Sequence, residues 1–123
     1  MFLGIVGELN KKSYSFLSET IEELTKLEDS VIFNYVEGTH ISELIEKYNG
    51  NKGHSIVVFR EDKDIKKEDR ELGSMEDVLE NSDYVMCFYK EPTSEYLRRF
   101  NNVVESKGYQ GKCLYYCASD NNQ

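Results

Sequence analysis

Apolar residues along this chain alternate between short continuous runs and helical stripes. Five runs rich in β-branched and aromatic residues are predicted to be strands, because such runs are typical of strands buried on both faces. They are residues 1–8, 30–38, 54–59, 83–89 and 111–118. Between the runs, apolar residues recur at intervals of three and four, which predicts amphipathic helices. The three clearest stripes are Phe16, Leu17, Ile21, Leu24 and Leu27; then Ile41, Leu44, Ile45 and Tyr48; and last Tyr96, Leu97, Phe100, Val103 and Val104.

Two segments do not follow this pattern. Residues 60–73 carry charges of both signs and few apolar side chains, which predicts a solvated loop or a short surface helix. Ser74 is then predicted to cap a short helix, with Asp77 three residues later completing a capping box. Residues 119–123 form a polar tail without a structural signal.

The alternation of strands and helices predicts the fold class. Over residues 1–118 we expect a single α/β domain, Rossmann-like and doubly wound, with about five mostly parallel strands and helices on both faces. In this class ligands bind outside the carboxyl ends of the strands, where the strand order reverses. The turns that follow the strands are therefore the places to look for a site.

Small and polar residues in these turns are the candidate ligand contacts. A glycine lets a phosphate or ribose approach the backbone closely, hydroxyls and free N–H groups at a helix start favour an anion, and a tyrosine can stack on a base. The candidates are Gly7, Asn10, Gly38, Thr39, His40, Ser74, Tyr89, Thr93 and Ser94. Ordinary turn formation and helix capping are equally good explanations for most of them.

Glu95 is the one candidate for catalysis. At the start of the last helix it could act as a nucleophile or general base at an anomeric carbon. The simpler interpretation is a carboxylate that favours the helix dipole in the first turn. The sequence shows no Ser–His–Asp set, zinc site or P-loop, so we expect no metal and no cofactor.

Charge and composition limit the partners. The formal net charge of -8 disfavours direct nucleic-acid binding, which needs clustered lysine and arginine, but it fits a basic protein partner. Basic residues near the predicted rim are few: Lys11, Lys12, Arg60, Lys90 and Arg98. The apolar runs are too short to span a membrane and no signal peptide is recognisable, so with three cysteines we expect reduced thiols packed in a cytoplasmic protein.

Read in order, several segments resemble the SLOG superfamily of Rossmann-like nucleotide-binding domains. "VGELN" stands where that superfamily has a Gly-Ser-Arg-like turn, and "VEGTHISELIEKY" where a strand leads into a Gly-Ala-Asp-like turn. "SMEDVLENSDYVMCFY" follows the shape of its Arg-Asn helix start and fourth strand, and "EPTSEYLRRF" that of the turn opening the last helix. The most similar branch is the small YspA/YpsA-like group, with LOG phosphoribohydrolases and nucleoside deoxyribosyltransferases as relatives.

The chain departs from that superfamily at polar positions. Glu8 or Leu9 replaces the basic residue of the first turn, and His40 and Ser42 replace the Gly and Asp of the second. Ser74 and Met75 stand in place of an Arg-Asn pair. Because residues expected to hold a phosphoribosyl group are missing, the resemblance implies binding more than turnover.

Three functions follow. The resemblance implies a homodimer that binds a nucleotide or nucleotide-derived signal, as a sensor or as a phage-encoded protein that sequesters the signal in the host cytosol. The alternatives are an enzyme that cleaves N-glycosidic bonds of nucleosides or nucleotides, and an acidic module that blocks a basic protein partner.

Overall fold

A computed structural model of the protein describes residues 1–118, and the predicted tail at residues 119–123 lies outside the described residues. The strands are β1 (Phe2–Gly7), β2 (Ile32–Val36), β3 (Ser55–Phe59), β4 (Tyr84–Tyr89) and β5 (Cys113–Cys117). The helices are α1 (Tyr14–Thr25), α2 (His40–Asn49), α3 (Lys67–Asn81) and α4 (Glu95–Lys107). The predicted order of elements is confirmed.

The five strands form one sheet in the order β3-β2-β1-β4-β5, and every neighbouring pair is parallel. This is a Rossmann-like doubly wound sheet, as predicted. The chain first winds outward from β1 to β3 and then crosses back to β4. The strand order therefore reverses between β1 and β4, so their carboxyl ends mark the expected ligand position.

Each face of the sheet has its own apolar core, because alternate residues of a strand point to opposite faces. On one face, α1 and α2 cover side chains that include Leu3, Ile5, Phe33, Tyr35, Met86 and Phe88. On the other, α3 and α4 cover a set that includes Val6, Val36, Val85 and Cys87. The central strands β1 and β4 are thus buried from both sides, which explains their continuous apolar runs.

The prediction for the segment before β4 is wrong. Helix α3 begins at Lys67, so Ser74 lies inside it, buried, and its hydroxyl donates to the carbonyl of Arg70 at 2.9 Å. There is therefore no capping box with Asp77. Lysine, glutamate and arginine are good helix formers, and the burial of Met75, Val78 and Leu79 anchors a helix that extends back through the charged residues.

One stripe position is also wrong. The apolar stripe predicts Leu27 on the buried face of the first helix, but α1 ends at Thr25 and Leu27 is 81% exposed. The other predicted members of that stripe are buried or partly buried against the core. The 3.6-residue period predicts burial only within a helix, so it does not predict the burial of a residue that follows the last turn.

The cysteines pack as predicted. Cys87 is buried between the sheet and α4, and Cys113 and Cys117 are half-buried in β5. Burial raises the pKa of the Cys87 thiol, which keeps it protonated. Within residues 1–118 no group of three or more His, Cys, Asp or Glu side chains is placed to hold a metal, and none of the helices there could cross a membrane.

Buried tyrosines predict a loss of stability at alkaline pH. Burial raises the pKa of Tyr35 and of Tyr48 to about 12 each, and their hydroxyls also donate to Glu46 and Glu22. An unfolded tyrosine titrates near pH 10, so the stabilisation that these neutral tyrosines give the fold is complete below about pH 10 and is lost as pH rises towards 12. The urea concentration at half-unfolding, measured from pH 8 to pH 11.5, should therefore fall above pH 10. Tyrosinate absorbance of the folded protein follows the titration over the same range. A constant midpoint, or full tyrosinate absorbance near pH 10 in the folded protein, would contradict it.

Candidate functional site

An open cleft of about 810 Å³ lies over the carboxyl ends of β1 and β4, where the strand order reverses. We call it the strand-end cleft. Segments that are far apart in sequence meet here because the carboxyl ends of parallel strands lie at one edge of the sheet. Its lining residues are Gly7, Glu8, Leu9, Asn10, Gly38, Thr39, His40, Lys67, Lys90, Glu91, Ser94 and Glu95.

Gly7 forms the floor of the cleft. Its φ of 143° is a conformation that residues with a side chain rarely adopt, and a Cβ added there would lie 2.1 Å from the carbonyl oxygen of Phe88. The next residue, Glu8, donates its N–H to that same carbonyl at 3.0 Å. The end of β1 is thereby held directly against the end of β4, and only glycine fits this junction.

A carboxylate occupies the end of the cleft beside α4. The Ser94 hydroxyl donates to Glu8 and also accepts the N–H of Leu97 at 3.3 Å, so Ser94 is the cap of α4. The negative charge of Glu8 therefore lies at the N-terminus of α4, where the helix dipole favours it. A ligand phosphate would meet like charge at this end of the cleft.

The start of α2 borders the cleft on the other side. Thr39 and Ser42 form a reciprocal capping box: Thr39 Oγ1 accepts the Ser42 N–H and Ser42 Oγ accepts the Thr39 N–H, both at 3.1 Å. The Thr39 hydroxyl also donates to the carbonyl of Val36 at 3.1 Å. The capping role of these hydroxyls is thus confirmed. His40 and Gly38 are exposed at this helix start, and nothing lies within 4 Å of a Cβ added at Gly38.

Three candidates lie elsewhere. Ser74 lines a smaller cavity of about 70 Å³ that also touches Gly7 and Thr39. Tyr89 is half-buried against the apolar core under α3 and α4, and Thr93 is exposed in the turn before α4. Neither Tyr89 nor Thr93 is among the residues that line these two cavities.

Glu95 is held by arginines. Its carboxylate accepts from Arg98 at 3.0 Å and lies 3.5 Å from Arg99. Arg99 in turn forms a two-pronged contact with Glu71, whose oxygens lie 2.9 and 3.0 Å from Nη2. The hydrogen bond with Glu71 raises the pKa of Arg99, so this guanidinium is a permanent positive charge.

Sequence reasoning missed this network, and it also missed Lys67 and Tyr96. Glu71 and Lys67 fall in the segment predicted to be a solvated loop or a short surface helix. The pattern places Tyr96 only in a core stripe, although Tyr96 lines the smaller cavity. Burial raises the pKa of the Tyr96 hydroxyl, with Cys87 and Glu71 adding to the shift. The one indication of this network in the sequence is the spacing of Glu95 and Arg99, which lie four residues apart on a helix and can therefore form an ion pair.

Most of the basic residues expected at the rim are neutralised or absent from the cleft. Arg60 pairs with Glu37 at 2.9 Å, and Arg98 pairs with Glu95. Lys67 and Lys90 line the cleft, and neither forms an ion pair with another residue of the described chain. They are the positive charges that an anionic ligand would meet.

In comparisons with known proteins, no family model matches this chain, and no curated protein or solved structure matches it either. The resemblance to the SLOG superfamily therefore stays a prediction that rests on the motifs of the sequence.

Proposed function

We propose that this protein binds a nucleotide or nucleotide-derived signal in the strand-end cleft and does not turn it over. The observation that supports this most is where the cleft lies: at the reversal point of a doubly wound sheet, with most of the predicted contacts around it. That position is the general ligand site of open parallel sheets. The cleft is also large enough for a nucleotide, since ligand pockets typically enclose about 300–1,000 Å³.

The charges in the cleft favour one orientation. The phosphate lies at the start of α2, near Gly38, His40 and Lys67, because the positive end of the helix dipole and a lysine attract an anion there. The sugar lies towards Glu8, since a carboxylate accepts hydrogen bonds from ribose hydroxyls and repels phosphate.

The state of Glu95 favours binding over catalysis. A nucleophile must leave its partners to attack, and Glu95 is exposed to water with one arginine in hydrogen-bond contact and a second nearby. Its interactions are those of a first-turn carboxylate that stabilises a helix. Binding without turnover would serve a sensor of a defence signal or a phage-encoded protein that sequesters one.

A thermal-shift screen with nucleosides, nucleotides, cyclic dinucleotides and ADP-ribose tests this proposal, with chromatography of each mixture to detect products. A ligand at one hundred times its Kd should stabilise the fold by about 2.7 kcal/mol, with the ligand recovered intact. Lys67→Glu should weaken nucleotide binding at least about tenfold but leave nucleoside binding unchanged, since a charge-assisted hydrogen bond contributes roughly 1.5–3 kcal/mol. Lys63→Glu makes the same charge change in an exposed segment outside the cleft and serves as the control.

Two results would reject the proposal. If no compound shifts the unfolding temperature, nucleotide binding is wrong. If a compound is hydrolysed, and Glu95→Gln abolishes the hydrolysis while leaving the thermal shift intact, the protein is an N-glycosidase.

A second candidate function, interaction with a basic protein, is favoured by a groove beside α1. Its floor includes Phe16, Leu24 and Tyr116, and Glu19 and Glu23 form an acidic rim. An apolar floor with carboxylates beside it suits a basic amphipathic helix. Such binding would weaken with added salt and with Glu19→Lys/Glu23→Lys, whereas nucleotide binding in the cleft would be unaffected by these substitutions.

A further inference from the structure

The edge strand β3 is apolar and exposed. It contains no charged residue, and Ile56, Val57 and Val58 are 45%, 39% and 37% exposed. These residues point alternately to both faces of the sheet, so neither face of the strand is well covered. In β2, the neighbouring strand, Phe33, Tyr35 and Val36 are buried.

Edge strands of isolated proteins are normally protected from pairing. Charged side chains, proline, a bulge or a covering loop make the edge unsuitable for another strand. Strand β3 is instead regular along its whole length, with five consecutive residues in register with β2, from Ser55 to Phe59. An unprotected apolar edge of this kind is expected to be covered by a partner.

The backbone of β3 identifies which groups are free to pair. The carbonyl of Phe59 accepts the N–H of Glu37 at 2.8 Å, so Phe59 directs its backbone groups towards β2. Because successive residues of a strand alternate in direction, Val57 also faces β2, while Ile56 and Val58 direct their N–H and C=O groups outward.

We propose that a second copy of this chain pairs with β3 in antiparallel fashion, about a two-fold axis at Val57. In this register Ile56 exchanges hydrogen bonds with the partner's Val58, and Val58 with the partner's Ile56. Val57 packs against the partner's Val57 in a non-hydrogen-bonded pair, in which side chains come closest. The same surface serves both copies, so the assembly closes as a dimer with one continuous sheet.

The charge of β3 fits pairing with a second copy. The absence of charge within β3 lets two chains of net charge -8 meet without carboxylates facing one another at the centre. Pairing of one strand buries less surface than a standard interface, so the dimer should depend on protein concentration.

Sedimentation velocity over a range of concentrations tests the dimer. The wild type should show a concentration-dependent dimer. Val57→Lys places two ammonium groups opposite each other and should raise the dimer dissociation constant at least about tenfold. Val58→Pro removes an outward N–H that would pair with the partner, so it should also raise the dimer dissociation constant. The fold should be retained, since proline is tolerated at an edge where the N–H faces solvent. Leu27→Lys changes another exposed apolar residue, outside β3, and should leave the constant unchanged.

Far-ultraviolet circular dichroism on each variant checks that the fold is retained. A wild type that stays monomeric at every concentration overturns the proposal, as does a dimer that survives both Val57→Lys and Val58→Pro. Loss of the dimer in Leu27→Lys alone would assign the interface to the α1 side instead.

Discussion

Gly7→Ala is expected to destabilise the fold by about 3 kcal/mol or more, a large part of the total stability of a domain of this size. The new Cβ would lie 2.1 Å from the carbonyl oxygen of Phe88 and 2.9 Å from its carbonyl carbon. Both are backbone atoms of a central strand, so they cannot move aside as a flexible side chain could. The φ of 143° adds strain of its own. Urea unfolding measures the loss directly.

Gly38→Ala is the matched control for this substitution. Gly38 also has a positive φ, 80°, but nothing lies within 4 Å of a Cβ built there. Alanine at Gly38 should therefore cost only the conformational strain, about 1–2 kcal/mol. The difference between the two variants isolates the steric contact between β1 and β4. Equal losses would mean that the junction is looser than the structure shows.

The close approach at Gly7 links the fold to the site. The same carbonyl that excludes a side chain at Gly7 accepts the N–H of Glu8 and so directs the chain into the cleft. Glu8 then reaches Ser94 at the start of α4. The polar floor of the cleft is thus a consequence of how tightly two central strands meet, and a ligand would contact backbone and carboxylate there.

Periodicity predicted most of this fold because each strand and helix buries one or two complete faces. The runs at β1 and β4 are continuous since both faces of these strands are covered, and the stripes of α2 and α4 follow the core. The period could not locate the start of α3. Its first turn is charged and exposed, so the helicity of this turn depends on propensity and on the anchored residues from Ser74 onward.

The candidate site follows from topology more than from chemistry. The strand-end turns could be named from sequence because a doubly wound sheet brings them together, and the structure places Gly7, Gly38 and Ser94 in one cleft. The contact between Glu8 and Ser94 spans 86 residues, so no local pattern indicates it. Exposure of β3 was equally hidden, since an apolar run predicts a strand without saying whether it lies at the centre or the edge.

Phe88→Ala is expected to have the second large effect, about 3–5 kcal/mol, which is the usual cost of truncating a buried phenylalanine. The Phe88 ring is fully buried, stacks on Tyr116 with centroids 5.3 Å apart, and meets Phe16 edge-on at 5.9 Å. Tyr84→Ala, at an exposed position of the same strand, should cost less than about 1 kcal/mol. Thermal unfolding of both variants gives the comparison.

A second substitution of Phe88 distinguishes its role in the core from a role in the cleft. Phe88→Leu keeps most of the buried volume and the backbone carbonyl that Glu8 binds, so it should cost less than Phe88→Ala and preserve ligand binding. A double-mutant cycle with Tyr116→Leu should find a coupling of roughly 0.5–1.5 kcal/mol from the stacked rings. If Phe88→Leu abolished binding while losing little stability, the side chain itself would belong to the site. If Phe88→Ala cost no more than Tyr84→Ala, the core beneath β4 would be less tightly packed than these contacts require.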